Sequence, residues 1–563
     1  MQLPCEAAES PRGNAGTCWT ALFFTICLSF GPNLIAGDVE TAPVAGIRGS
    51  LVIAGGGNLP TEIFDEFLRL GGNSEARLVV VPTASIAADT GEIESRLEFW
   101  RQRRPRSFSV LHTRSRDVAD LPEFSKALLE ATAVWFIGGD QSHLTRAYLG
   151  TLVEQRLHEL LARGGVIGGT SAGAAIMSRT MINGTRDPLR IDPVLDTGFG
   201  FLPGCVVDQH FLKRNREGRL RNALLSRPGH FGVGIDEGTA LVVSGRSLRV
   251  IGESCVKMYL AATPERPERV ETLAAGGATD LLALSRAAVQ RTRTGLPESP
   301  GRISPLREGT LVLAGDGRPP RDAVERFLEA AGGKDARIVV VSNGKSEQTD
   351  LELAFGQELR DAGAANVTHL NADDRNEWLN EDFVTALKDA RGIWVAGDGA
   401  LQLVDLLVDT PAEKLLTDLL AQGGVLGGSS AGASILGQYL IPPASAQSPN
   451  LAAEGYERGI GLLSGIAIDR RLAAEPENRA AALSRLRPAH PQLIGVGLDR
   501  ESAVIFRGAT MQVLGDRNVT VIDRGVDASI AALESMSPGE SYNLVERRRV
   551  ESEVAAPGPV SAE

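Results

Sequence analysis

The chain carries two copies of one domain-sized sequence, and this duplication limits its possible folds more than any other feature. Strings from the first half return in the second half, displaced each time by about 260 residues. A period of that length is a whole domain, which indicates a tandem duplication and not a solenoid of short repeats. The matching pairs are Gly49-Ser-Leu-Val-Ile-Ala-Gly-Gly-Gly57 with Gly309-Thr-Leu-Val-Leu-Ala-Gly-Asp-Gly317, 76–81 with 336–341, 133–138 with 392–397, 164–174 with 423–433, and Gly232-Val-Gly-Ile-Asp236 with Gly495-Val-Gly-Leu-Asp499.

Each copy alternates short apolar runs with amphipathic stretches. Residues 51–54 and 78–81 are continuously apolar, as expected for strands covered on both faces, and residues 61–70 between them show helical spacing. This order predicts an α/β fold: two tandem three-layer αβα domains with mainly parallel sheets, whose ligand sites lie beyond the carboxyl ends of the strands. The predicted domains are 47–290 and 307–550, joined by a Gly- and Pro-containing linker at 291–306.

The N-terminus has the pattern of a secretory signal. A polar lead with Arg12 precedes an apolar run at 18–31 that is too short to span a bilayer, and the small residues Ala36 and Gly37 follow. This predicts a signal peptide at 1–37 and an exported protein, periplasmic or extracellular, without stable membrane insertion after cleavage. A buried hydrophobic N-terminal segment is the alternative.

Composition narrows the list of partners. The net charge of -12 argues against nucleic acid, because phosphate binding needs a basic surface. No Cys/His cluster has the spacing of a zinc site, and we expect neither a metal nor a cofactor. Cleavage of the signal would leave only Cys205 and Cys255. Export would permit a disulfide between them, although two ordinary core cysteines are the favoured alternative.

Residues 165–177 read as an apolar strand, a turn of small residues and a helix. This is the arrangement of a nucleophile elbow, with Ser171 at the corner. Gly169 and Gly173 allow close backbone approach, and a helix beginning near Ala172 directs its first amides toward any anion formed there. The Ala172 amide is therefore a candidate oxyanion-hole donor. A Gly-rich turn with Ser171 as a helix N-cap is the alternative.

A serine nucleophile needs a general base, and the base needs a carboxylate that orients it. His210 comes at the end of a predicted strand and before a basic stretch, and Asp236 and Glu237 end another predicted strand. The other histidines of the mature first copy are His112, His143, His158 and His230.

Three segments of the first copy together resemble the cyanophycinases, relatives of peptidase E with a class I glutamine amidotransferase-like fold. They are Gly168-Gly-Thr-Ser-Ala-Gly-Ala, Asp208-Gln-His-Phe followed by a spaced arginine series, and Gly234-Ile-Asp-Glu-x-Thr-Ala. The resemblance implies a serine peptidase that cleaves cyanophycin, a poly-aspartate backbone with arginine joined to each β-carboxyl. The expected products are β-Asp-Arg dipeptides.

The resemblance also assigns residues to roles. It implies a catalytic triad in which Ser171 attacks the carbonyl, His210 transfers the proton and Glu237 orients His210. The Gly139 amide joins that of Ala172 as a candidate oxyanion-hole donor. The expected substrate-binding residues are Gln141, Asp208, Gln209, Arg214, Arg216 and Arg219.

The arginine series suits a substrate that exposes many carboxylates, because planar guanidinium groups bind carboxylates in a bidentate manner. A solvated basic surface is the alternative for these arginines. Asp208 either accepts from a substrate guanidinium or holds its own loop together, and the sequence leaves both open.

The second copy keeps the elbow as Gly428-Ser-Ser430-Ala-Gly-Ala but lacks the other motif residues. Arg471 stands opposite His210, Arg500 opposite Glu237, and Ala400 opposite Gln141. Without a base Ser430 is a poor nucleophile, so we expect a catalytically inactive domain. A structural role is favoured, in which the fused copies form an intramolecular pseudo-dimer, and polymer binding away from the active site is the alternative.

Two other functions remain open for the whole chain. One is a peptidase E-like exopeptidase that acts on Asp-containing or isoaspartyl peptides. The other is a non-catalytic polymer-binding or scaffold protein with relic motifs, a description that fits the second copy better than the first.

Overall fold

The structure is a computed structural model. Its first copy contains two sheets with helices between and around them. Its helices are α1 (Thr61–Gly71), α2 (Ala87–Thr90), α3 (Glu94–Arg101), α4 (Arg116–Ala119), α5 (Ala127–Glu130), α6 (Gln141–Tyr148), α7 (Leu152–Ala162), α8 (Ala172–Ala175), α9 (Glu217–Leu225) and α10 (Leu281–Gln290). Its strands are β1 (Ile47–Ala54), β2 (Arg77–Val81), β3 (Ser107–Val110), β4 (Ala133–Phe136), β5 (Val166–Thr170), β6 (Ser178–Asp187), β7 (Asp192–Thr197), β8 (Leu202–Gln209), β9 (Phe231–Ile235), β10 (Thr239–Gly245), β11 (Ser247–Gly252), β12 (Cys255–Leu260), β13 (Arg269–Ala274) and β14 (Ala278–Asp280). The residues that the structure describes are 46–187, 191–264, 266–293, 305–343, 349–371, 380–397, 399–440, 451–470, 493–523 and 532–550.

The first sheet contains the predicted parallel strands. Its order is β14-β11-β10-β1-β5-β4-β2-β3, and the five strands from β1 to β3 along this order are parallel. The remaining three pair antiparallel, so the expectation of a mainly parallel sheet holds for these five strands and not for the opposite edge. Because β1, β4 and β5 are neighbours and parallel, the turns after them meet at one edge of the sheet.

A second, smaller sheet of mixed direction packs against the first. Its order is β13-β12-β9-β8-β6-β7, with β6, β8 and β9 parallel to one another. Apolar side chains of both sheets and of the helices between them share one core, to which β5 contributes Ile167 and β8 contributes Val207. The turns after β8 and β9 therefore reach the same region as the turn after β5.

The second copy repeats this plan, with a strand of 3 residues, β20, where the first copy has the 10 residues of β6. Its helices are α11 (Arg321–Ala331), α12 (Thr349–Asp361), α13 (Glu381–Asp389), α14 (Ala400–Leu407), α15 (Pro411–Ala421) and α16 (Ala431–Leu436). Its strands are β15 (Thr310–Ala314), β16 (Arg337–Ser342), β17 (Asn366–Asn371), β18 (Gly392–Val395), β19 (Val425–Ser429), β20 (Gly437–Tyr439), β21 (Leu463–Asp469), β22 (Ile494–Gly497), β23 (Ser502–Arg507), β24 (Thr510–Gly515), β25 (Val519–Asp523), β26 (Ala532–Met536), β27 (Ser541–Asn543) and β28 (Arg548–Arg549).

The two copies contact each other through α10 of the first and a 3-10 helix of the second, Leu451–Tyr456. Every residue of α10 is buried, and Leu451 lies in the core of the first copy. The backbones approach so closely that a Cβ on Gly455 would lie 2.2 Å from the Ala283 carbonyl oxygen. The position of this 3-10 helix between α16 and β21 corresponds to that of β7 between α8 and β8.

Buried ion pairs reinforce this contact. The Arg291 guanidinium donates two hydrogen bonds to Glu454, both of 2.9 Å, and Arg286 donates to Asp405 at 2.8 Å. All four side chains are less than a tenth exposed. Burial favours full pairing of such groups, because an unpaired charge in the interior is costly.

Three predictions concern other parts of the chain. Cys205 is buried, Cys255 is half-buried, and both are free, so they form no disulfide with each other. The signal peptide at 1–37 and most of the linker at 291–306 lie outside the described residues. Within the described ranges, no helix has the length and apolar character needed to cross a membrane.

Candidate active site

Ser171 lies at a strained corner between β5 and α8. Its φ of 56° and ψ of -108° are unusual for a residue with a side chain. The Ser171 amide donates to the Ala54 carbonyl at the end of β1, which fixes the corner against the neighbouring parallel strand. This backbone directs the hydroxyl away from the sheet edge, as the elbow motif predicts.

A row of hydrogen bonds links three side chains from three strand ends. His210 Nε2 lies 2.8 Å from Ser171 Oγ, and His210 Nδ1 lies 2.6 Å from Glu237 Oε1. His210 follows β8 and Glu237 follows β9, so the two parallel strands of the second sheet deliver them to the serine of the first. The structure thus brings together all three residues that the sequence motifs singled out for catalysis.

Asp236 holds the loop that carries His210. Its Oδ1 accepts from the amides of Leu212 and Lys213 at 3.1 and 3.0 Å, and its Oδ2 accepts from Ser254 Oγ at 3.0 Å. His210 itself has a φ of 50°, and its amide donates to the Gly55 carbonyl. These bonds keep the imidazole in place despite an unfavourable backbone conformation.

Gly56 leaves the space that the imidazole fills. A Cβ on Gly56 would lie 2.3 Å from His210 Cε1 and 2.6 Å from Nε2. Real Cβ atoms do not approach so closely, so a side chain at residue 56 excludes the observed position of His210. Gly56 was not among the site residues predicted from the sequence, although its replacement by Asp316 in the second copy is visible in the paired strings.

Burial and charge act together on His210. Burial lowers the pKa of His210 below its ordinary value, and the hydrogen bond that His210 donates to Glu237 opposes this shift. The positive charges of Arg214 and Arg216 lower the pKa further. The imidazole is therefore held neutral near pH 7, which is the form that can accept a proton.

Two backbone amides lie near the Ser171 hydroxyl. The Ala172 amide opens α8, and the Gly138–Gly139 turn contacts the serine, since a Cβ on Gly138 would lie 3.2 Å from Ser171 Cβ. In the described part of the chain, neither Ala172 N nor Gly139 N donates to a backbone carbonyl. Both amides are thus available to an oxygen of a bound substrate.

The three arginines of the basic series have different surroundings. Arg219 is buried and forms a bidentate pair with Asp208, which is itself completely buried. Arg216 is largely buried and donates to the Gln209 carbonyl at 2.7 Å, and burial lowers its pKa to about 10. Arg214 is exposed beside His210. The contacts favour the alternative in which Asp208 holds its own loop together.

The two glutamines of the predicted binding set also differ. Gln141 Nε2 donates to the Ile182 carbonyl at 3.0 Å and so connects α6 to β6. Gln209 is buried, and its Oε1 has no hydrogen-bond partner in the described structure. An unsatisfied buried acceptor is unusual and is consistent with a site that a ligand completes.

The second copy keeps the elbow but fills the space beside it. Ser430 has a φ of 56° and a ψ of -123°, close to the values for Ser171. Asp316 stands where the first copy has Gly56, and its Oδ1 lies 2.7 Å from Ser430 Oγ. The Arg470 guanidinium also donates to Ser430 Oγ and lies 3.5 Å from Asp316.

Arg471, predicted from the sequence to stand in the position of the base, lies outside the described residues. The cation that contacts Ser430 is Arg470. Arg470 comes directly after β21, at the position that Gln209 takes at the end of β8 in the first copy. The backbone differs too, because the Ala431 amide donates to the Gly397 carbonyl at 3.0 Å. Ala172 in the first copy has no such acceptor among the described residues.

Both copies match one family of known proteins. The sequence model of peptidase family S51 matches residues 51–251 and 311–514, which together make up more than half of the chain. The chain belongs to peptidase family S51. It is a serine peptidase with an α/β fold, and both copies carry the family's sequence.

Relatives of this S51 peptidase include proteins named cyanophycinase and peptidase E. A cyanophycinase of Geminocystis herdmanii is 32% identical over 39% of this chain and 81% of its own length, and one of Synechococcus elongatus is 32% identical over 40% and 70%. A peptidase E of Nostoc is 24% identical over 33% of this chain and 77% of its own length. A solved peptidase from an acI-B1 actinobacterium is 29% identical over 42% of this chain and 97% of its own, with a TM-score of 0.34.

Proposed function

We propose that the first copy hydrolyses the poly-aspartate backbone of cyanophycin through a triad of Ser171, His210 and Glu237. The observation that carries this proposal is the continuous row of hydrogen bonds from Glu237 through His210 to Ser171, at 2.6 and 2.8 Å. The 32% identity to proteins named cyanophycinase supports the substrate.

The row of hydrogen bonds supports an acyl-transfer mechanism. Ser171 Oγ forms a bond to the carbonyl carbon while His210 Nε2 takes the hydroxyl proton. The carbonyl oxygen becomes an oxyanion, which accepts from the Gly139 and Ala172 amides. The C–N bond then breaks as His210 returns the proton to the leaving amine. A water molecule then attacks the ester carbonyl as His210 takes its proton, and His210 gives that proton to Ser171 Oγ as the ester C–O bond breaks and the carboxylic acid is released.

The basic loop after β8 supports a substrate rich in carboxylates. Arg214 is exposed beside His210 and can bind the α-carboxylate of an arginine that cyanophycin carries on each β-carboxyl. Arg216 and Arg219 act from within the protein by holding Gln209 and Asp208 in place. Gln209 Oε1 is a candidate acceptor for a substrate N–H.

A peptidase E-like activity on short Asp-containing or isoaspartyl peptides is the second candidate. The 24% identity to a protein named peptidase E favours it. The exposed Arg214 and Lys213 disfavour it, because a single short peptide presents fewer carboxylates than the polymer.

For the second copy we propose a structural role without catalysis, as one half of an intramolecular pseudo-dimer. The Ser430 hydroxyl donates a hydrogen bond to Asp316 and accepts one from Arg470. The Ala431 amide donates to the Gly397 carbonyl. The insertion of Leu451 into the first copy's core supports the structural role. We also propose that the protein is exported, on the N-terminal signal pattern.

Incubation of purified mature protein with cyanophycin tests the proposal. We expect release of β-Asp-Arg dipeptides, measured by chromatography, and a fall in kcat of roughly 10⁴- to 10⁶-fold for Ser171→Ala. Turnover of only short Asp-containing peptides would favour the second candidate. Binding of polymer without release by either protein would indicate a non-catalytic role.

Ser430→Ala is the matched control, since it removes the same atom from the same backbone in the other copy. We expect its kcat to equal that of the wild type. A large loss of rate with folding intact would contradict the inactive second copy.

A further inference from the structure

The turn that carries the Gly139 amide rests against a single carbonyl group. The Ala84 carbonyl, in the loop after β2, accepts from the Asp140 amide at 2.9 Å. A Cβ on Gly139 would lie 2.1 Å from that oxygen, so only glycine allows this approach. The position of the Ala84 carbonyl therefore determines where the Gly139 amide lies relative to Ser171.

One guanidinium group bonds to the carbonyls on either side of Ala84. Arg114 Nη1 donates to the carbonyl of Thr83, and Arg114 Nη2 donates to the carbonyl of Ser85 at 3.0 Å. These are the residues immediately before and after Ala84. The rigid planar fork of arginine fixes the spacing of the two carbonyls, and with it the peptide groups between them.

The guanidinium is itself anchored. Asp89 accepts from Arg114 Nη2 at 2.7 Å and from Nε at 3.2 Å, and His112 Nε2 lies 3.0 Å from the same carboxylate. Chiefly through the hydrogen bond from Arg114, the pKa of Asp89 falls to about 2, so this carboxylate stays charged throughout the neutral range. On the other side of the ring, His112 Nδ1 lies 3.0 Å from Thr83 Oγ1.

We propose that Arg114, anchored by Asp89, is a positioning residue for the oxyanion hole of the first copy. It touches neither the nucleophile nor the base. It fixes the Ala84 carbonyl, which fixes the turn that presents the Gly139 amide. This inference rests on the proposed acyl-transfer mechanism and adds to it residues that none of the catalytic motifs contains.

The second copy provides a contrast. Counting from the paired strands β3 and β17, Asp373 occupies the position of Arg114, and it lies outside the described residues. In that copy the turn carbonyl of Gly397 accepts from the Ala431 amide, so one oxyanion donor is already used. Among the described residues of the second copy, the counterpart of the Ala172 amide is therefore already bonded to the turn.

Substitution of Arg114 tests the inference through the division between kcat and KM. Loss of the fork displaces the Gly139 amide, so we expect kcat to fall roughly 10- to 100-fold in Arg114→Gln with KM nearly unchanged. Arg114→Lys keeps the positive charge but not the planar fork, so its kcat should lie between those of the wild type and of Arg114→Gln. Arg116→Gln removes a neighbouring exposed arginine and should leave both constants at wild-type values.

A probe independent of the natural substrate separates this inference from the proposed function. A fluorophosphonate labels Ser171 through a transition state that also places an oxygen in the oxyanion hole, and we expect the labelling rate of Arg114→Gln to fall in parallel with kcat. If wild type is labelled but does not cleave cyanophycin, the proposed substrate fails and the labelling rates decide the inference. If wild type reacts with neither, both fail. A rise in KM alone, or lower thermal stability with kcat and labelling unchanged, would overturn the positioning role.

Discussion

The two copies have almost the same elbow and opposite surroundings. Ser171 and Ser430 share a φ of 56°, each follows a buried strand, and each opens a short helix. Beside Ser171 stands an imidazole, whereas Ser430 bonds to a carboxylate and a guanidinium. The strained corner is therefore a property of the fold, and the residues delivered by other strands decide whether it can support catalysis.

The replacement that separates the copies most clearly is Gly56 by Asp316. Glycine at the end of β1 leaves room for His210, and aspartate at the end of β15 reaches the serine hydroxyl itself. The Asp316 side chain thus fills the space that an imidazole would need and, together with Arg470, hydrogen-bonds the serine hydroxyl of the second copy.

The two copies also differ between the helix of the elbow and the strand that corresponds to β8, which is β21 in the second copy. In the first copy this segment is the β6–β7 hairpin, which Gln141 ties to α6 beside the site. In the second copy the corresponding segment contains Leu451–Tyr456, which packs on α10 of the first copy. One position in the fold has thus been used for the site in one copy and for contact between copies in the other.

Gly56→Asp should make the first copy resemble the second, with the largest effect of the three predictions here. The new side chain displaces His210 and accepts from Ser171 Oγ, so we expect kcat on cyanophycin to fall roughly 10⁴-fold, as for loss of a triad function. Steady-state kinetics would measure this.

Gly72→Asp is the matched control, because Gly72 has the same φ of 106° and a Cβ there would meet nothing closer than 3.8 Å. It should cost about 1–2 kcal/mol of stability and leave kcat unchanged. A Gly56→Asp protein within tenfold of wild-type activity would show that Asp316 does not explain the difference between the copies.

Much of this comparison could be predicted from the sequence, because local patterns carry it. The duplication, the elbow around Ser171 and the missing His and Glu of the second copy are visible in strings of a few residues. The parallel strands β1, β2 and β5 also follow from their apolar runs. The antiparallel edge and the second sheet were not predicted, because the place of a strand in a sheet depends on pairings, such as β1 with β10 and β8 with β9, that no local pattern reports.

The missed details at the site have the same origin. The crowding between Gly56 and His210 joins residues 154 positions apart, and no periodicity reports it. The arginine series looked uniform in sequence, yet the fold buries Arg219 against Asp208 and leaves Arg214 exposed. Arg114 carries no motif, and its contacts depend on the parallel neighbours β2 and β3 ending at one edge.

Glu454→Ala tests whether the second copy has gained a contact role in place of catalysis. Burial raises the pKa of Glu454, but hydrogen bonds from Arg291 and Arg269 outweigh it, so the pKa lies below its usual value and the group is charged. Removal of the carboxylate leaves the buried Arg291 guanidinium without its anionic partner, bonded only to the carbonyls of Ala261 and Pro267. We expect the free energy of unfolding of the joined copies to fall by about 3–5 kcal/mol, measured by denaturant titration.

Glu325→Ala removes an exposed pairing with Arg321 in the same copy and should cost no more than about 0.5 kcal/mol. Equal unfolding midpoints for the two variants would mean that the buried network contributes little to the contact between copies.

Arg214→Gln should produce the smallest effect, a shift in the pH profile. The positive charge of Arg214 disfavours the imidazolium form, so it lowers the pKa of His210 and keeps the base neutral at lower pH. Without that charge the pKa rises, and the acid limb of kcat/KM moves to higher pH. An uncharged ester substrate isolates this shift from any loss of carboxylate binding. Because Arg214 is exposed, added salt should shrink the difference between variant and wild type. Lys213→Gln makes the same change of charge one residue earlier and should shift the limb less, so equal shifts would trace the effect to net charge and not to the side chain beside the base.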